Sequence, residues 1–195
     1  MNDFLEKYGK DSVNHRIGKL HQPGTTEEDI GKALDDPELK VRKAAIGQPK
    51  VTAEHIGKIL DNPDEDKAFK ANVLKHPNAT EGHIGKILDN PYEHWLVKMV
   101  ALKNTKDTTE HINKVLDNPN EVDSVKETAV EHPNFTAEHI SKVLDHPKDF
   151  FFLKAAALKN KNATKDHFRK VLDNPDEHPH VKNTAQKIYS ERFRG

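Results

Sequence analysis

The sequence predicts an all-α fold, an α-solenoid with a right-handed superhelix that is built from six tandem two-helix repeats. Three observations predict it. The chain aligns with itself at a period of 28 residues, each period carries two segments with helical apolar spacing, and a proline lies between those segments. Five such blocks follow one block of 26 residues without a gap. The six repeats are 22–47, 48–75, 76–103, 104–131, 132–159 and 160–187.

The ends of the chain differ from the repeats. We interpret residues 1–21 as an N-terminal capping half-repeat and residues 188–195 as a C-terminal cap or tail. Terminal repeats lack one neighbour, so their outer faces should be polar. In agreement, the apolar column that includes Leu74 and Leu158 ends in Gln186.

A threonine precedes the first helix of each long repeat. There its hydroxyl can accept a hydrogen bond from a free backbone amide and stabilise the helix by about 1 kcal/mol. Apolar residues then recur at i, i+3 and i+4, as in Ile56, Ile59 and Leu60, which predicts one buried stripe. The threonines are Thr52, Thr80, Thr108, Thr136 and Thr164.

An Asp-Asn-Pro triplet should end the first helix, because proline disfavours helical backbone at the residue before it. We expect the same triplet to begin the second helix, with Asn62 as its cap, Pro63 in the first helical position and Glu65 completing a capping box. The second helix then carries two apolar columns, which start at Val41 and Ala45. The equivalent pairs are Asn90 with Glu93, Asn118 with Glu121, and Asn174 with Glu177.

The repeat motif reads (His/Asn)-Pro-Asn-x-Thr-x-Glu-His-Ile-x-Lys-x-Leu-Asp-(Asn/Asp)-Pro, followed by Val-(Lys/Arg)-x-x-Ala. This wording, in residues 36–45 and 49–52 above all, resembles the leucine-rich repeat variant family, whose members are related to HEAT repeats. The resemblance covers residues 22–187 and implies an α-solenoid. The long repeats carry two residues more than the 22–47 repeat, and no cysteine is present for the iron–sulfur cluster of the family's founding example. The His-Pro-Asn-Ala-Thr wording is also similar to repeats of uncharacterised bacteriophage proteins.

Composition limits the classes of function. The chain has 31 basic and 32 acidic residues and a net charge of −1, so it has no overall attraction to polyanions. The absence of cysteine excludes disulfides, thiolate metal sites and thiol nucleophiles. Because we find neither a long apolar stretch nor a signal-peptide pattern, we expect no membrane association and a cytoplasmic location, in the host cytoplasm if the protein is phage-encoded.

A ladder of basic residues directly follows the buried column of the second helix. The resemblance to HEAT repeats implies that each member pairs with an aspartate at the turn between the helices, and we interpret both ladders as structural. The basic members are Arg42, Lys70, Lys98, Lys126, Lys154 and Lys182. The aspartates are Asp35, Asp61, Asp89, Asp117, Asp145 and Asp173.

A second ladder places a lysine on each first helix. Regularly spaced lysines could follow a phosphate backbone, which makes them a candidate nucleic-acid stripe. An acidic residue four positions earlier, such as Glu54 before Lys58, should neutralise most of the stripe, so we rank nucleic acid below protein as a partner. After Lys32, the stripe consists of Lys58, Lys86, Lys114, Lys142 and Lys170.

A third ladder consists of histidines. Repeats that stack roughly 10 Å apart cannot share a zinc ion whose ligands must lie about 2.0–2.1 Å from it, so we expect no metal site and no cofactor. Each imidazole lies at the positive end of a helix, which favours its neutral form. These residues are His55, His83, His111, His139 and His167.

Two repeats break the pattern at the start of the second helix. The third repeat reads His94-Trp95-Leu96 and the fifth reads Phe150-Phe151-Phe152, where other repeats read Asp66-Lys67-Ala68 or Val122-Asp123-Ser124. Exposed aromatic residues on a polar scaffold indicate a partner site, whereas buried ones would fill a groove or cover a neighbour. The candidate partner-binding residues are Tyr92, Trp95, Phe150 and Phe151.

We therefore expect a non-enzymatic scaffold that binds a protein partner, which in a phage setting would be a host factor. No catalytic motif is present, and the acidic residues and histidines recur in each repeat instead of forming one unique constellation. Two alternatives are a structural component of a phage particle or other assembly, and a HEAT-like solenoid that binds nucleic acid.

Overall fold

The structure is a computed structural model that describes residues 12–106, 108–146 and 150–193. These residues form thirteen α-helices and no strand, which confirms the predicted all-α class. The chain divides into two compact units, Met1–Ile84 and Gly85–Gly195. The boundary between the units lies inside α6. The helices are α1 (Val13–Leu20), α2 (Glu27–Ala33), α3 (Leu39–Ile46), α4 (Ala53–Asp61), α5 (Lys67–Val73), α6 (Glu81–Asp89), α7 (Trp95–Asn104), α8 (Thr108–Asp117), α9 (Asp123–Val130), α10 (Ala137–Asp145), α11 (Phe151–Lys159), α12 (Lys165–Asp173) and α13 (Pro179–Phe193).

Helices at equivalent places in the sequence period pack against one another. In the second unit, α7, α9, α11 and α13 contact each other in that order, while α8, α10 and α12 lie against them. In the first unit, α1 and α2 both contact α3, and α4 contacts α5. From α5 onward, each second helix begins 28 residues after the previous one, at Lys67, Trp95, Asp123, Phe151 and Pro179.

The predicted apolar columns form the core. In the first apolar column of the second helices, Val41, Phe69 and Val97 have no accessible surface. Ala45 and its equivalents form the second column, one turn later, and have none either. The first-helix stripes are also buried, except that Leu172 on α12 is only partly covered. Each short helix therefore buries its apolar side against neighbouring helices, since helices of about two turns are unstable alone.

Threonine side chains cap the first helices as predicted. The Thr52 and Thr136 hydroxyls accept the amides of His55 and His139, each at 3.3 Å. The side chain of Thr108 lies outside the described residues. These caps supply acceptors for amides that have no partner inside the helix.

The expectation that Asn-Pro begins the second helix is wrong. Asn62 instead ends α4, and its side-chain oxygen accepts the amide of Asp64 at 3.0 Å. The second helix begins only at Lys67, with Asp66 as its cap. An asparagine side chain that bonds the amide two residues later forms a turn, and this turn competes with a helical cap. The same bond recurs at Asn90, Asn118 and Asn174.

The last helix closes the second unit. α13 is 15 residues long and ends at Phe193, beyond residue 187, where the last repeat ends. Its Tyr189 and Phe193 rings pack at 6.2 and 5.6 Å from the ring of Phe168. Arg192 donates to the carbonyls of Lys159 and Asn160, while Gln186 is exposed as expected. Residues of the predicted caps at positions 1–11 and 194–195 lie outside the described residues.

Candidate functional site

Four large apolar side chains of the described residues are exposed, and all four lie in the second unit at or just before the start of a second helix. Their exposed fractions are 94% for Tyr92, 46% for Trp95, 46% for Val122 and 63% for Phe152. Together we call them the apolar edge. Trp95 is the first residue of α7, Val122 precedes α9, and Phe152 is the second residue of α11.

Local sequence places this edge. A turn separates each first helix from the second helix. The residues in this turn and at the start of the second helix precede the buried apolar columns, so they lie at the edge of the packed helices. Tyr92 follows Asn90 and Pro91 within such a turn, where its amide donates to Asn90 at 3.0 Å. Because α7, α9 and α11 pack in order, the edge crosses three neighbouring helix starts.

The other two predicted partner-binding residues are half-buried. Phe151 stacks on the imidazole of His178, with ring centroids 4.2 Å apart. Phe150 stacks on His146 at 4.8 Å and has the ammonium of Lys126 at 4.6 Å from its ring centroid. These two rings pack against neighbouring side chains, whereas the Tyr92 and Trp95 side chains remain accessible to solvent.

A groove beside the apolar edge combines aromatic and acidic side chains. Asp123 and Glu127 lie one turn apart on α9, and both are exposed. They line the groove together with Phe150, Phe152 and Leu153. The groove therefore offers an apolar wall and a negatively charged wall to a ligand.

Two lysines of the basic ladder on the second helices pair with glutamates and not with the expected aspartates. Lys98 Nζ lies 2.7 Å from Glu121 Oε2, and Lys154 Nζ lies 3.0 Å from Glu177 Oε2. All four side chains are at most 5% exposed. Each glutamate belongs to the turn of the next repeat and was expected to complete a capping box instead. The pairs therefore join successive repeats.

Glu177 illustrates the electrostatics of these pairs. Burial alone would raise the pKa of its carboxyl group, but the His178 amide and the Lys154 ammonium bind the carboxylate and hold its pKa below the ordinary value. The Glu177 carboxylate is therefore charged near neutral pH. Arg42 and Glu65 form the equivalent pair in the first unit, at 2.7 Å.

The aspartate ladder pairs with the lysine stripe. Lys114 and Lys142 bind Asp89 and Asp117 of the preceding repeat, at 3.1 and 2.7 Å. Lys58 likewise binds Asp35 at 2.5 Å, and Lys170 binds Asp145. The expected pairing with an acid four residues earlier occurs for Lys32 with Glu28 and for Lys114 with Glu110. The stripe is thus neutralised, mainly by a different carboxylate from the one predicted.

The histidine ladder both caps the first helices and contacts the preceding repeat. His83, His139 and His167 each accept the amide of the capping threonine at Nδ1, at 3.0–3.1 Å. An imidazole nitrogen that accepts a hydrogen bond carries no proton, so these rings are neutral when the bond forms. The opposite nitrogen approaches the previous first helix. A methyl group at Gly31 would lie 3.0 Å from His55 Nε2, so glycine allows this approach.

Mild acid is expected to destabilise the fold through these histidines. Burial lowers the pKa of His139 and His167 from the ordinary 6.5, although Glu138 and the Thr109 carbonyl raise that of His139. Burial also lowers the pKa of His76 and His132. The unfolded chain then binds more protons below about pH 6.5, so the free energy of unfolding should fall as the pH falls from about 7.5 to about 5. Urea unfolding at the two pH values measures the change.

The variant His139→Gln tests the origin of this pH dependence. Glutamine keeps an acceptor for the Thr136 amide but does not titrate, so the variant should lose less stability on acidification than the parent. His180→Gln, at an exposed position, is the matched control and should retain the parent's loss. Equal pH dependence in all three proteins would contradict a role for His139.

Sequence reasoning missed several residues that form the apolar edge or link successive repeats. Phe152 and Val122 belong to the apolar edge, and a signal was present because the repeat position of Phe152 holds no other aromatic ring, but Ala68, Leu96, Ser124 and His180. Asn78 and Asn162 donate to the carbonyls of Val51 and Phe135, at 2.6 and 2.7 Å, and link successive repeats. Arg16 binds Asp36 at 2.8 Å, and both side chains are buried.

Comparison of the chain with protein-family models, with curated proteins and with solved structures found no match. Within the described residues, no group of three or more histidines and carboxylates could hold a metal ion. No helix of that part of the chain is long and apolar enough to cross a membrane.

Proposed function

We propose that the chain is a non-enzymatic scaffold, an α-solenoid with a right-handed superhelix that consists of six two-helix repeats over residues 22–187, of the leucine-rich repeat variant or HEAT-like type. The regular spacing of the second-helix starts supports this proposal. The contacts of α7, α9, α11 and α13 in chain order support it as well, because each repeat in a solenoid packs mainly on its neighbours.

The scaffold binds a protein partner through the apolar edge. The observation that carries this proposal is that all four exposed large apolar side chains of the described residues lie at this one edge. Exposed apolar surface costs about 25 cal/mol per Å² relative to burial, so a cluster of such residues favours association. Tyrosine and tryptophan are common anchors of protein interfaces. If the chain is phage-encoded, the partner is a host protein.

The lysine stripe favours this proposal over nucleic-acid binding. Binding to a phosphate backbone requires lysines that can neutralise phosphates and release counterions. Lys58, Lys114, Lys142 and Lys170 each lie against an aspartate of the preceding repeat. A phosphate would have to displace these carboxylates, which weakens the net attraction.

Replacing both Trp95 and Phe152 with alanine is expected to reduce partner capture about tenfold or more, because interface anchors contribute at least about 2 kcal/mol each. The measurement is quantitative affinity capture from lysate by immobilised protein. Lys114→Ala with Lys170→Ala is the matched control, since it alters two exposed residues away from the edge. Unchanged capture by a folded Trp95→Ala, Phe152→Ala variant would overturn the proposal, as would loss of capture in the lysine variant alone.

A further inference from the structure

The surroundings of the apolar edge have a one-sided charge. Three described segments at the edge, 90–97, 118–124 and 174–181, contain acidic residues and no lysine or arginine, and 150–153 contains no charged residue. Lys148, two residues before Phe150, lies outside the described residues. The chain as a whole has 31 such basic residues. Lys98, Lys126 and Lys154 follow these segments but are at most 5% exposed. The exposed acidic residues of these segments are Asp123 and Asp176, because Glu121 and Glu177 are buried in ion pairs. Among the described residues, the surface at the edge is therefore apolar with exposed acidic groups.

The groove between α9 and α11 brings these two properties together. Asp123 and Glu127 form one wall, and both side chains are exposed. Phe152, whose ring is mostly exposed, belongs to the other wall. Lys126 of the same helix already places its ammonium over the Phe150 ring, so an aromatic face in this groove accommodates a cation.

We propose that this groove receives a lysine or arginine side chain from an extended basic segment of the protein partner. The cationic group would lie between the ring of Phe152 and the carboxylates of Asp123 and Glu127, where cation–π attraction and charge-assisted hydrogen bonds act together. The proposal rests on the function proposed above and specifies the chemistry of the partner.

The rest of the edge suits the flanking residues of such a segment. Packed helices lie about 8–10 Å apart, so the starts of α7 and α11 are separated by roughly 20 Å. An extended chain covers that distance with about six residues. Apolar side chains next to the basic residue would then contact Val122 and Trp95, both about half exposed. The occupant is therefore a short segment that alternates basic and apolar residues.

A library of random twelve-residue peptides, displayed on yeast, tests this proposal because it offers the edge short segments of every composition. The library is selected against the full chain and against three variants of it. Asp123→Asn with Glu127→Gln removes the acidic wall, and Trp95→Ala with Phe152→Ala removes the apolar anchors. Glu110→Gln with Glu138→Gln removes two exposed charges on first helices and is the matched control. Circular dichroism establishes that each variant is folded.

We expect the full chain to enrich peptides that carry lysine or arginine beside apolar residues. The acidic-wall variant should lose the basic preference, while the matched control should keep it. An enriched peptide, synthesised with arginine or with uncharged citrulline, should bind about tenfold more tightly in the arginine form. Fluorescence of Trp95, the one tryptophan of the chain, reports this binding.

Two results would overturn the inference in distinguishable ways. If enriched peptides lack a basic excess, or keep it on the acidic-wall variant, the proposed segment is wrong. The binding function itself still stands in that case, provided that the Trp95→Ala, Phe152→Ala variant loses those peptides. If the full chain enriches no peptide beyond this anchor variant, both the basic segment and the apolar edge as a binding site are rejected.

Discussion

Replacing Glu121 with alanine is expected to lower the free energy of unfolding by about 3–5 kcal/mol. The Glu121 carboxylate lies 2.7 Å from the ammonium of Lys98, and both side chains are at most 5% exposed. Removal of the carboxylate leaves a buried positive charge without its partner, and desolvation of an unpaired charge is costly. Urea unfolding monitored by circular dichroism measures the loss.

An exposed pair in the same unit provides the control. Asp89 lies 3.1 Å from Lys114, and its side chain is 57% exposed, so Asp89→Asn should change stability by less than about 1 kcal/mol. Replacing both buried partners, Lys98→Met with Glu121→Leu, should restore most of the stability that Glu121→Ala loses. If Glu121→Ala is no more destabilising than Asp89→Asn, the buried ladder contributes little to stability.

Replacing Phe135 with alanine is expected to lower the free energy of unfolding by about 3–5 kcal/mol. The Phe135 ring has no accessible surface and packs 5.2 Å from the ring of His139. The same position of the other long repeats holds Val51, Ala79, Asp107 and Ala163, so the fifth repeat has the largest side chain there. Truncation therefore removes buried apolar surface and leaves a cavity.

Phe152→Ala is the matched control for this prediction. The same substitution is made in the same repeat, but the Phe152 side chain is 63% exposed. The free energy of unfolding should therefore change by no more than about 0.5 kcal/mol. Chemical unfolding of the two variants in parallel gives the comparison. A similar loss of stability in both variants would mean that burial of the Phe135 ring does not determine its contribution to the free energy of unfolding.

Much of the fold could be predicted because its signals are local. Helix positions follow from apolar spacing, and the predicted stripes, such as Ile56, Ile59 and Leu60, are buried in the structure. The threonine caps at Thr52 and Thr136 also act within four residues of themselves. The Asn-Pro turn was misread because asparagine caps a helix or forms a turn with equal ease, and only the chain path after Asn62 distinguishes the two.

The candidate site was harder to predict because exposure depends on neighbours. Trp95 and Phe151 occupy equivalent positions, each as the first residue of a second helix. His178 of the next repeat covers Phe151, while Trp95 stays accessible. Sequence reasoning could therefore locate the irregular repeats, but it could not separate Phe152, which is exposed, from Phe150 and Phe151, which are not.

The sequence by itself determined the all-α class, the spacing of the helices and which faces are apolar, because these properties depend on residues within one or two helical turns. Only the tertiary structure decided the partners of the polar ladders. Lys98 pairs with a glutamate 23 residues later and Lys142 with an aspartate 25 residues earlier, because adjacent repeats place these groups side by side. It also decided which aromatic residues form the apolar edge, since packing between repeats determines what solvent can reach.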